Sequence, residues 1–472
     1  MKFFRRNPYI VFVHTVYAVT SMNPEQGQVL GYTTSPSSPY YFTFIVNKES
    51  KVFEGDFVIV RDGEQLILGQ IAKIYRRTFH SLDISLAVEK DFVEYRRSVV
   101  VAKVRVLGAI RDSERLESAF PVDFGLPVFK APGDLIAKVA AGENVILAVQ
   151  LGKIVGTDIS IKLDLKRLLE GNILVAGAPG SGKTYTSALL AIQCARNFIP
   201  VVIFDMYAEY SALINKLLHL HKKEITIEVK TFSTFEKRNT ELLRIDFTEI
   251  GPKFLQSFLG LTEIQAEALD NTLRELRMRG VGSPSFDDIY EILKEKKRFH
   301  PVARSTLLRK LERMHEMGLF KFEQSTPISH IIRPGKISII ELDRANFETI
   351  EMTISWIFNK IMASKDDNKE GVFLILENAH EFRKIIQKIL RAGRKYRVSL
   401  CVVSDRIAEL YELIGLCSNA FLHRILSRHD MEALERHFPI HPSVLKQLPN
   451  LRTGEAYIVG DVVTFPVIIR VG

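Results

Sequence analysis

The sequence is poor in cysteine: its 472 residues include only Cys194, Cys401 and Cys417, and no two of them form a C-x-x-C pair. An odd number of widely spaced cysteines indicates neither a disulfide framework nor a zinc site. The sequence also lacks any apolar run of about 18 residues, the length that a membrane-spanning helix needs. These absences argue against a disulfide-stabilised secreted domain, a zinc domain and a membrane-spanning protein, so we expect a cytoplasmic protein with no membrane partner.

The amino terminus is the one segment that imitates a secretion signal. Three basic residues precede the apolar run YIVFVHTVYAV, which is the charge pattern of a signal peptide. Pro8 and His14 interrupt this run. We therefore favour a β-strand at Tyr9–Val19 over a cleaved signal.

The composition is that of an ordinary globular protein with a positive charge excess. Hydrophobic residues make up 46% of the chain and charged residues 25%, and this length suggests about three domains. The formal charge is +9, which makes nucleic acid a plausible partner. On composition alone, a solvated basic surface without a ligand stays open as the alternative.

The most informative stretch is NILVAGAPGSGKTYT, residues 172–186, which contains the phosphate-binding pattern G-x-x-x-x-G-K-[ST]. The apolar residues before the pattern predict a buried strand and those after it predict a helix, which is the context that this motif requires. The glycines let backbone N–H groups face phosphate, while Lys183 is expected to reach the β- and γ-phosphates and Thr184 to place its hydroxyl on Mg²⁺. The predicted nucleotide-binding residues of this loop are Gly177, Ala178, Pro179, Gly180, Ser181, Gly182, Lys183 and Thr184.

The residues before about 110 have the pattern of a small all-β unit. Short alternating or β-branched runs recur between turn clusters such as SPSSP at 35–39, and this spacing predicts a β-barrel at residues 1–110. The predicted strands are Tyr9–Val19, Tyr41–Val46, Asp56–Val60, Leu66–Ile74 and Val99–Leu107.

The remaining chain predicts an α/β core with additions. Residues 111–170 are a connector rich in Pro and Gly. Strands alternate with helices in residues 171–249 and 323–445, which predicts a doubly wound parallel sheet. Apolar residues at helical spacing predict a helical insertion at 250–322, and residues 446–472 form a C-terminal tail of strands.

Two carboxylates follow the strand predicted at Val201–Phe204. Asp205 comes directly after this strand, and Glu209 lies four residues further on. The carboxyl ends of parallel strands are where such sheets bind their ligands. We therefore expect Asp205 to contribute to the nucleotide site and Glu209 to be a candidate proton acceptor.

A further acidic position follows the strand predicted at Val372–Leu376. Nucleotide hydrolases hold Mg²⁺ through a carboxylate here, and the next residue is usually a Glu that acts on the attacking water. In this chain the pair is Glu377 and Asn378. Glu377 can still accept a hydrogen bond from Mg²⁺-bound water, but the amide of Asn378 cannot accept a proton. The alternative is a strand that merely ends in an acid and a turn.

The basic cluster RAGRKYR is the third candidate for a role in catalysis. An arginine delivered across a subunit boundary can stabilise charge on a γ-phosphate, and Arg394 is the candidate. A solvated basic face is an equally good interpretation of such a run. Its basic residues are Arg391, Arg394, Lys395 and Arg397.

The order of these blocks resembles the HerA family, the hexameric ATP-driven DNA translocases that belong with FtsK-type motors. GNILVAGAPGSGKT and VVIFDMYAEY resemble the family's Walker A motif and following strand, and VFLILENAHEF resembles its Walker B motif. GQVLGY, FTFIV, VFEGDFVIV and LILGQIAKI resemble its N-terminal barrel (HAS-barrel-like), AGRKYRVSLCVVSDR its arginine and sensor segment, and LPNLRTGEAYIVG with TFPVIIRV its closing tail. The resemblance covers nearly the whole chain. It implies an α/β fold with a RecA-like P-loop NTPase core carrying a helical insertion, preceded by an N-terminal β-barrel.

The resemblance also implies a function. HerA-type proteins use ATP and Mg²⁺, form homo-oligomeric rings that are usually hexamers, and thread double-stranded DNA through a basic channel. They commonly work with a NurA-like nuclease in DNA end processing or repair, and the N-terminal barrel would be its docking face. A ring would allow Arg394 to act on the nucleotide of a neighbouring subunit.

The chain departs from the family pattern at several positions. Glu377-Asn378 replaces the usual Asp-Glu, Ala208 replaces a Gly, Asp405 replaces a polar Gln, and Arg452 stands where a Gly is expected. Asp405 would repel a γ-phosphate unless Arg406 or Mg²⁺ compensates. The amide at 378 predicts a slow ATPase, unless Glu209, Asp205 or Glu381 supplies the base; the sequence does not choose among them.

Two other functions stay open. One is an ATP-binding, hydrolysis-impaired HerA-like scaffold subunit. The other is a secretion- or conjugation-type ATPase that acts at a membrane, against which the lack of an apolar membrane span is a mild argument.

Overall fold

β-Strands form two separate sheets in this protein, whose structure is a computed structural model. The described residues are 28–78, 98–111, 114–116, 120–141, 147–220, 227–245, 252–281, 284–295, 300–316, 318–319, 325–363, 371–438, 440 and 442–472. The strand predicted at Tyr9–Val19 lies outside them. The chain divides into two compact units. The first comprises the residues up to Asn144 together with Gly156–Ile159, and the second comprises Val145–Val155 and Ser160–Gly472.

The first unit contains a closed antiparallel barrel. Its strands are β1 (Val29–Ser38), β2 (Tyr41–Val46), β3 (Phe57–Asp62), β4 (Gln65–Thr78), β5 (Ser98–Arg111), β6 (Glu114–Leu116) and β7 (Pro127–Lys130), followed by helix α1 (Gly133–Ala141). The order is β2-β1-β7-β3-β4-β5, and the pairing of β2 with β5 closes the ring, while β6 adds to β5. Phe42 and Phe44, and likewise Val58 and Val60, are spaced two residues apart and fill the interior, as alternation in a barrel requires. The predicted β-barrel is confirmed.

Two barrel strands were missed by the sequence prediction. β1 includes Ser35–Ser38, although SPSSP predicted a turn there. The pairing of β1 with β2 shifts its register between Thr34 and Ser38, so the prolines lie at an irregularity, where a missing N–H is tolerated. β7 pairs with β1 and β3, but its four residues are too few for a periodic pattern.

The second unit contains a 12-stranded sheet in the order β13-β12-β14-β11-β15-β16-β10-β17-β18-β19-β8-β9. Its strands are β8 (Ala148–Ile154), β9 (Ser160–Asp164), β10 (Asn172–Ala176), β11 (Val201–Asp205), β12 (Glu228–Ser233), β13 (Glu241–Leu242), β14 (Lys336–Glu341), β15 (Val372–Leu376), β16 (Val398–Ser404), β17 (Cys417–Leu422), β18 (Glu455–Gly460) and β19 (Val467–Val471). The strands from β13 to β17 in this order are parallel, as predicted. Beyond these core strands, β18, β19, β8 and β9 extend the sheet with antiparallel pairs, which the sequence did not predict. Short connections such as that between β18 and β19 favour antiparallel pairing.

Helices connect the strands of this sheet. They are α2 (Leu165–Leu169), α3 (Lys183–Arg196), α4 (Tyr210–Leu220), α5 (Pro252–Leu259), α6 (Glu263–Met278), α7 (Phe286–Glu295), α8 (Pro301–Glu316), α9 (Ile328–Ile331), α10 (Phe347–Ala363), α11 (Arg383–Ala392), α12 (Tyr411–Ile414), α13 (Arg428–His437) and α14 (Pro442–Leu445). α5 to α8 form the predicted helical insertion between β13 and β14. α6 begins with a reciprocal cap in which Thr262 accepts from the Gln265 N–H and Gln265 accepts from the Thr262 N–H.

The candidate site lies at the carboxyl ends of four neighbouring parallel strands, β10, β16, β15 and β11. Their register places Ala176 beside Ser404, Leu376 beside Val402, and Phe204 beside Leu376. All four strand ends therefore fall at one edge of the sheet, where an α/β sheet binds its ligand. The turns that leave these strands carry the predicted site residues.

Candidate active site

The loop between β10 and α3 has the geometry of a phosphate-binding loop. Gly177 and Gly182 have φ angles of 155° and 112°. A Cβ atom at Gly177 would lie 2.6 Å from the Cβ of His423, so this position has no room for a side chain. Gly182 adopts a left-handed conformation directly before α3, which brings the positive end of the helix dipole to the loop.

Three neighbouring segments hold this loop. The Gly177 N–H donates to the Ser404 carbonyl at 3.3 Å, and the Ala178 N–H donates to the Arg424 carbonyl at 2.8 Å. The Gly454 N–H, from the C-terminal tail, donates to the Ser181 carbonyl at 3.0 Å. The loop conformation is therefore fixed by tertiary contacts as well as by its glycines.

Thr184 and Glu377 meet at the site, as expected for residues that share Mg²⁺. The Thr184 hydroxyl donates to Oε1 of Glu377 at 3.3 Å. Glu377 is only 6% exposed, and its Oε2 atom has no hydrogen-bond partner within the described residues. Burial raises the pKa of Glu377 to about 7, and the charges of Asp205 and Glu209 add to this rise, whereas Thr184 and Lys183 oppose it.

This oxygen pair fits a magnesium ion. A buried carboxylate oxygen without a partner, beside a threonine hydroxyl, gives two hard oxygen groups, and Mg²⁺ usually keeps several waters and takes substrate phosphates as further ligands. Within the described residues no group of three or more His, Cys, Asp or Glu side chains is placed to hold a metal. The site thus suits an ion that arrives with a nucleotide rather than one held by protein ligands alone.

Lys183 lies at the start of α3 with its amine turned back over the loop. Its Nζ atom donates to the Ala178 carbonyl at 3.2 Å. Burial lowers the pKa of Lys183, and the nearby charges of Asp405, Glu377 and Glu209 partly restore it. The amine is therefore held among carboxylates at the point where the β- and γ-phosphates are expected.

Asp205 organises the turn after β11. Its side chain is fully buried and accepts backbone N–H groups of Tyr207 at 3.1 Å, Glu209 at 3.3 Å and Tyr210 at 2.9 Å. Burial raises the pKa of Asp205, while these three hydrogen bonds lower it. These contacts use both carboxylate oxygens on the backbone of the turn, which limits what Asp205 can offer a nucleotide.

Glu209 differs from the other two candidates for the base. Its side chain is exposed, and its charge is close enough to raise the pKa of both Glu377 and Lys183. Glu381 is also exposed, in the 3-10 turn Ala379–Phe382, but it is not among the charges that shift those two pKa values. Of the three, Glu209 combines an accessible carboxylate with proximity to Lys183.

Asp405 follows β16 and faces the same edge. Its Oδ1 atom lies 3.8 Å from Nδ1 of His380, and that nitrogen is 3.1 Å from the Ser404 hydroxyl. Arg406, which the sequence offered beside Mg²⁺ as a charge that could compensate Asp405, pairs with Glu409 at 3.2 Å. His380 was not predicted from the sequence, where its only signal is its place three residues after Glu377.

His423 is a second residue that the sequence did not reveal. It follows β17 beneath the loop, and its Nε2 atom is 2.9 Å from the Thr186 hydroxyl. Burial lowers the pKa of His423 to about 4, so it is neutral at physiological pH. It therefore supports the loop by packing and hydrogen bonding rather than by charge.

Arg394 lies in the 3-10 turn Gly393–Tyr396, between α11 and β16. Its side chain is exposed. No ion pair or side-chain hydrogen bond of this guanidinium is found in the part of the chain that the structure describes. An exposed arginine of this kind is available to a group outside its own subunit.

The sheet order, the glycine loop, and Lys183 with Thr184 and Glu377 define a P-loop NTPase with a RecA-like core. Family models then specify the class further. The Helicase HerA central domain matches residues 149–361, and the HAS barrel domain matches residues 30–112. These two stretches belong to those families, so the resemblance to the HerA family is confirmed, and ATP hydrolysis is the activity that this family implies.

Similar proteins agree with this assignment. A probable helicase of Methanocaldococcus jannaschii is 24% identical over 95% of this chain and 91% of its own length. The DNA double-strand break repair helicase HerA of Sulfurisphaera tokodaii is 23% identical over 94% of this chain and 92% of its own length.

Solved structures show the same fold at low identity. VirB4 of Thermoanaerobacter pseudethanolicus has a TM-score of 0.51 at 18% identity, covering 71% of this chain and 98% of that one. The plasmid coupling protein TrwB in complex with ADP and Mg²⁺ has a TM-score of 0.51 at 14% identity, covering 72% of this chain and 92% of that one. Among the described helices of the present chain, none has the length and apolar character to cross a membrane.

Proposed function

We propose that this protein is an ATP-dependent DNA translocase or helicase motor of the HerA type, active in the cytoplasm as a ring on double-stranded DNA. The observation that carries the proposal is the meeting of Lys183, Thr184 and Glu377 at one sheet edge of a HerA-type core. Phosphoryl transfer depends mainly on positioning and electrostatic stabilisation. These three residues supply the cation and the hard oxygen groups that such a reaction needs.

The residues of the loop would bind the nucleotide in the following way. The N–H groups of Gly177 and Ala178 already donate to protein carbonyls, so those of Gly182, Lys183 and Thr184, at the start of α3, would cradle the phosphates. Lys183 would exchange its loop carbonyl for the β- and γ-phosphate oxygens. Thr184 and Glu377 would hold Mg²⁺, directly or through water, and the ion would supply positive charge to the phosphates. Asp205 supports this arrangement from below by fixing the turn after β11.

Glu209 is the residue that we assign as proton acceptor. Asn378 cannot accept a proton, Asp205 is already bonded to three backbone N–H groups, and Glu381 is not among the charges that shift the pKa of Lys183. Glu209 lies in the turn after β11, the strand next to β15, and from there its carboxylate would face the γ-phosphate. General-base catalysis is worth about 10²–10⁴ in rate, so Glu209 would account for turnover despite the amide at 378.

Arg394 would complete the site from a neighbouring subunit. Its exposed guanidinium has no partner within the described part of its own chain, and an arginine supplied in trans is a recurrent way to stabilise transition-state charge. A homo-hexameric ring would place one such arginine at each interface. This assignment makes ATP turnover dependent on assembly.

Duplex DNA and a nuclease are the proposed partners. The net charge of +9 favours a polyanion, and the relative from Sulfurisphaera tokodaii is named a DNA double-strand break repair helicase. By the same family reasoning, a NurA-like nuclease docks on the N-terminal barrel, and the pair acts in DNA end processing or repair.

Displacement of a third strand from duplex DNA tests the motor function. With ATP and Mg²⁺ the wild type should displace a triplex-forming strand from a linear duplex, whereas Lys183→Ala should not. Duplex binding without displacement, in protein that turns over ATP, would refute translocation.

One observation favours a second candidate function. Asn378 removes the usual base, which suits a subunit that holds ATP as a scaffold and turns it over poorly. In that case wild-type protein should bind ATP tightly with negligible turnover, and Glu209→Gln should change neither property.

A further inference from the structure

The side chain of Asn378 makes a contact that spans two neighbouring strands of the core sheet. Its Nδ2 atom donates a hydrogen bond to the Tyr207 hydroxyl. Tyr207 lies in the turn after β11, and Asn378 lies in the turn after β15, which pairs with β11. The contact therefore ties together two turns at the edge where the γ-phosphate is expected.

Both turns contain a non-glycine residue in the left-handed region. Ala208 has a φ of 57° and Asn378 a φ of 49°. Asn adopts this region more readily than most residues, whereas for Ala it is sterically unfavourable. Such strain persists where surrounding contacts fix it and is concentrated at active sites.

The turn after β11 is held at both ends and from within. Tyr207 is fixed by Asn378 at its start, and the Tyr210 hydroxyl lies 2.6 Å from the Ser187 hydroxyl of α3 at its end. Asp205 binds the backbone between them. Glu209 lies in this fixed segment, yet its carboxylate has no hydrogen bond or ion pair within the described residues, so the backbone is set while the acid group stays available.

We propose that Asn378, acting through Tyr207, is a positioning residue that fixes the turn carrying Glu209 and so orients its carboxylate toward the attacking water. This inference rests on the proposed function, because it takes Glu209 as the base for ATP hydrolysis. In that step Glu209 takes a proton from water, the water oxygen bonds to the γ-phosphorus, and the bond from the γ-phosphorus to the bridging oxygen of ADP breaks. The proton then passes from Glu209 to solvent.

The amide at 378 makes this contact without a charge. A Glu could accept from the Tyr207 hydroxyl instead, but it would add a negative charge beside Glu377 and Glu209. Asn378 and Tyr207 then act together as one hydrogen-bonded pair that positions Glu209. Asn378 then marks a relocated base at Glu209 rather than a lost one.

Tyr207→Phe, Asn378→Ala and the double variant test this role. Each single variant should lower kcat about tenfold, because a small misplacement of a catalytic group is costly. The KM for ATP and the Kd for ADP should stay within about twofold, whereas binding of ADP with fluoroaluminate, a transition-state analogue, should weaken about as much as kcat falls. The double variant should lose no more than the worse single one, since both remove the same contact.

Tyr411→Phe is the matched control. It also removes a phenol hydroxyl from a partly exposed tyrosine, one that lies 3.4 Å from a guanidinium nitrogen of Arg436, and it should change none of these quantities. Because Tyr207 is 57% exposed, Tyr207→Phe is expected to fold, and its Kd for ADP confirms an intact loop.

The outcomes separate this role from the function on which it rests. Unchanged turnover in both single variants, additive losses in the double variant, or a turnover raised tenfold or more by Asn378→Glu would overturn the positioning role and leave the ATPase intact. A wild type that shows no turnover with duplex DNA would overturn the ATPase proposal and this role together.

Discussion

The hydroxyl of Thr184 lies 3.3 Å from Oε1 of Glu377, although the two residues are 193 positions apart in the chain. Thr184 stands at the start of α3 and Glu377 directly follows β15, and only β16 separates β10 from β15 in the sheet. Strand order thus creates the metal-binding pair that we propose. The second oxygen of Glu377 is buried without a partner among the described residues. In the absence of Mg²⁺, the ionised form of this carboxylate therefore destabilises the folded state.

This destabilisation by the ionised Glu377 carboxylate predicts that the stability of the fold depends on pH. The native pKa of Glu377 is raised to about 7, while an unfolded Glu has a pKa of about 4.3. A raised native pKa means that the folded state binds the proton more tightly, so this contribution is fully present below about pH 4.3 and is lost as the pH rises through about 7. The loss amounts to at most about 4 kcal/mol.

Unfolding with denaturant at several pH values, without nucleotide and with a chelator, measures this contribution. Glu377→Gln removes the titrating group, so the difference in unfolding free energy between variant and wild type should grow in favour of the variant from about pH 5 to pH 8. A difference that is constant over this range would contradict the raised pKa.

The exposed position of Arg394 predicts complementation between subunits. Arg394→Ala should leave ATP affinity within about twofold and depress turnover by about 10³-fold or more, because the arginine acts on a neighbour's nucleotide. Lys183→Ala subunits should be inactive because they lack the phosphate-binding amine. Rings mixed from these two inactive variants should recover part of the turnover, since some interfaces retain both groups. No recovery in rings shown to be mixed would count against action in trans.

Much of the fold could be predicted because its signals are local. The loop motif is contiguous, and the apolar runs of β10, β11 and β15 are long enough to be recognised as buried strands. The way in which β8 and β9 join the sheet could not be predicted, because β8 pairs with β19 from the opposite end of the core sequence, with Ile154 beside Ile469. Residue types alone do not encode such long-range pairing.

The same distinction between local and long-range signals applies to the residues of the candidate site. Lys183, Thr184 and Glu377 were found from spacing, since each occupies a fixed place relative to a strand end. The contacts of His380 with Asp405 and of Tyr207 with Asn378 join separate turns, and no sequence pattern connects them. Likewise, only its three backbone hydrogen bonds show that Asp205 supports the turn after β11.

Ala208 predicts a stabilising substitution. It stands where the family has a Gly, and its φ of 57° is unfavourable for a residue with a Cβ. Ala208→Gly should raise the free energy of unfolding by up to about 1 kcal/mol, the strain relief exceeding the entropy that Gly adds to the unfolded chain. Ala268→Gly, in the interior of α6, is the control and should lower it by about 1 kcal/mol. Chemical denaturation compares the two; a destabilised Ala208→Gly would show that the turn is not strained.

Asp405 predicts a change in nucleotide preference. Its carboxylate lies near Lys183, and Arg406 does not neutralise it because that guanidinium pairs with Glu409. Asp405→Gln should tighten binding of ATP about fivefold relative to ADP, since it removes a repulsion of about 1 kcal/mol that acts mainly on the γ-phosphate. Titration with each nucleotide in the presence of Mg²⁺ measures the ratio. An unchanged ratio of the two Kd values would place Asp405 away from the γ-phosphate.

Steady-state ATP turnover by the purified protein, measured with and without linear duplex DNA, is the most direct test of whether this protein is a DNA-stimulated ATPase with Glu209 as its base. We expect duplex DNA to stimulate turnover and Lys183→Ala to abolish it. Glu209→Gln should lower turnover by about 10²-fold or more while ATP binding persists. Turnover that is fast and indifferent to Glu209→Gln would contradict the assignment of the base. An absence of turnover in wild type under all of these conditions would contradict the proposed motor itself.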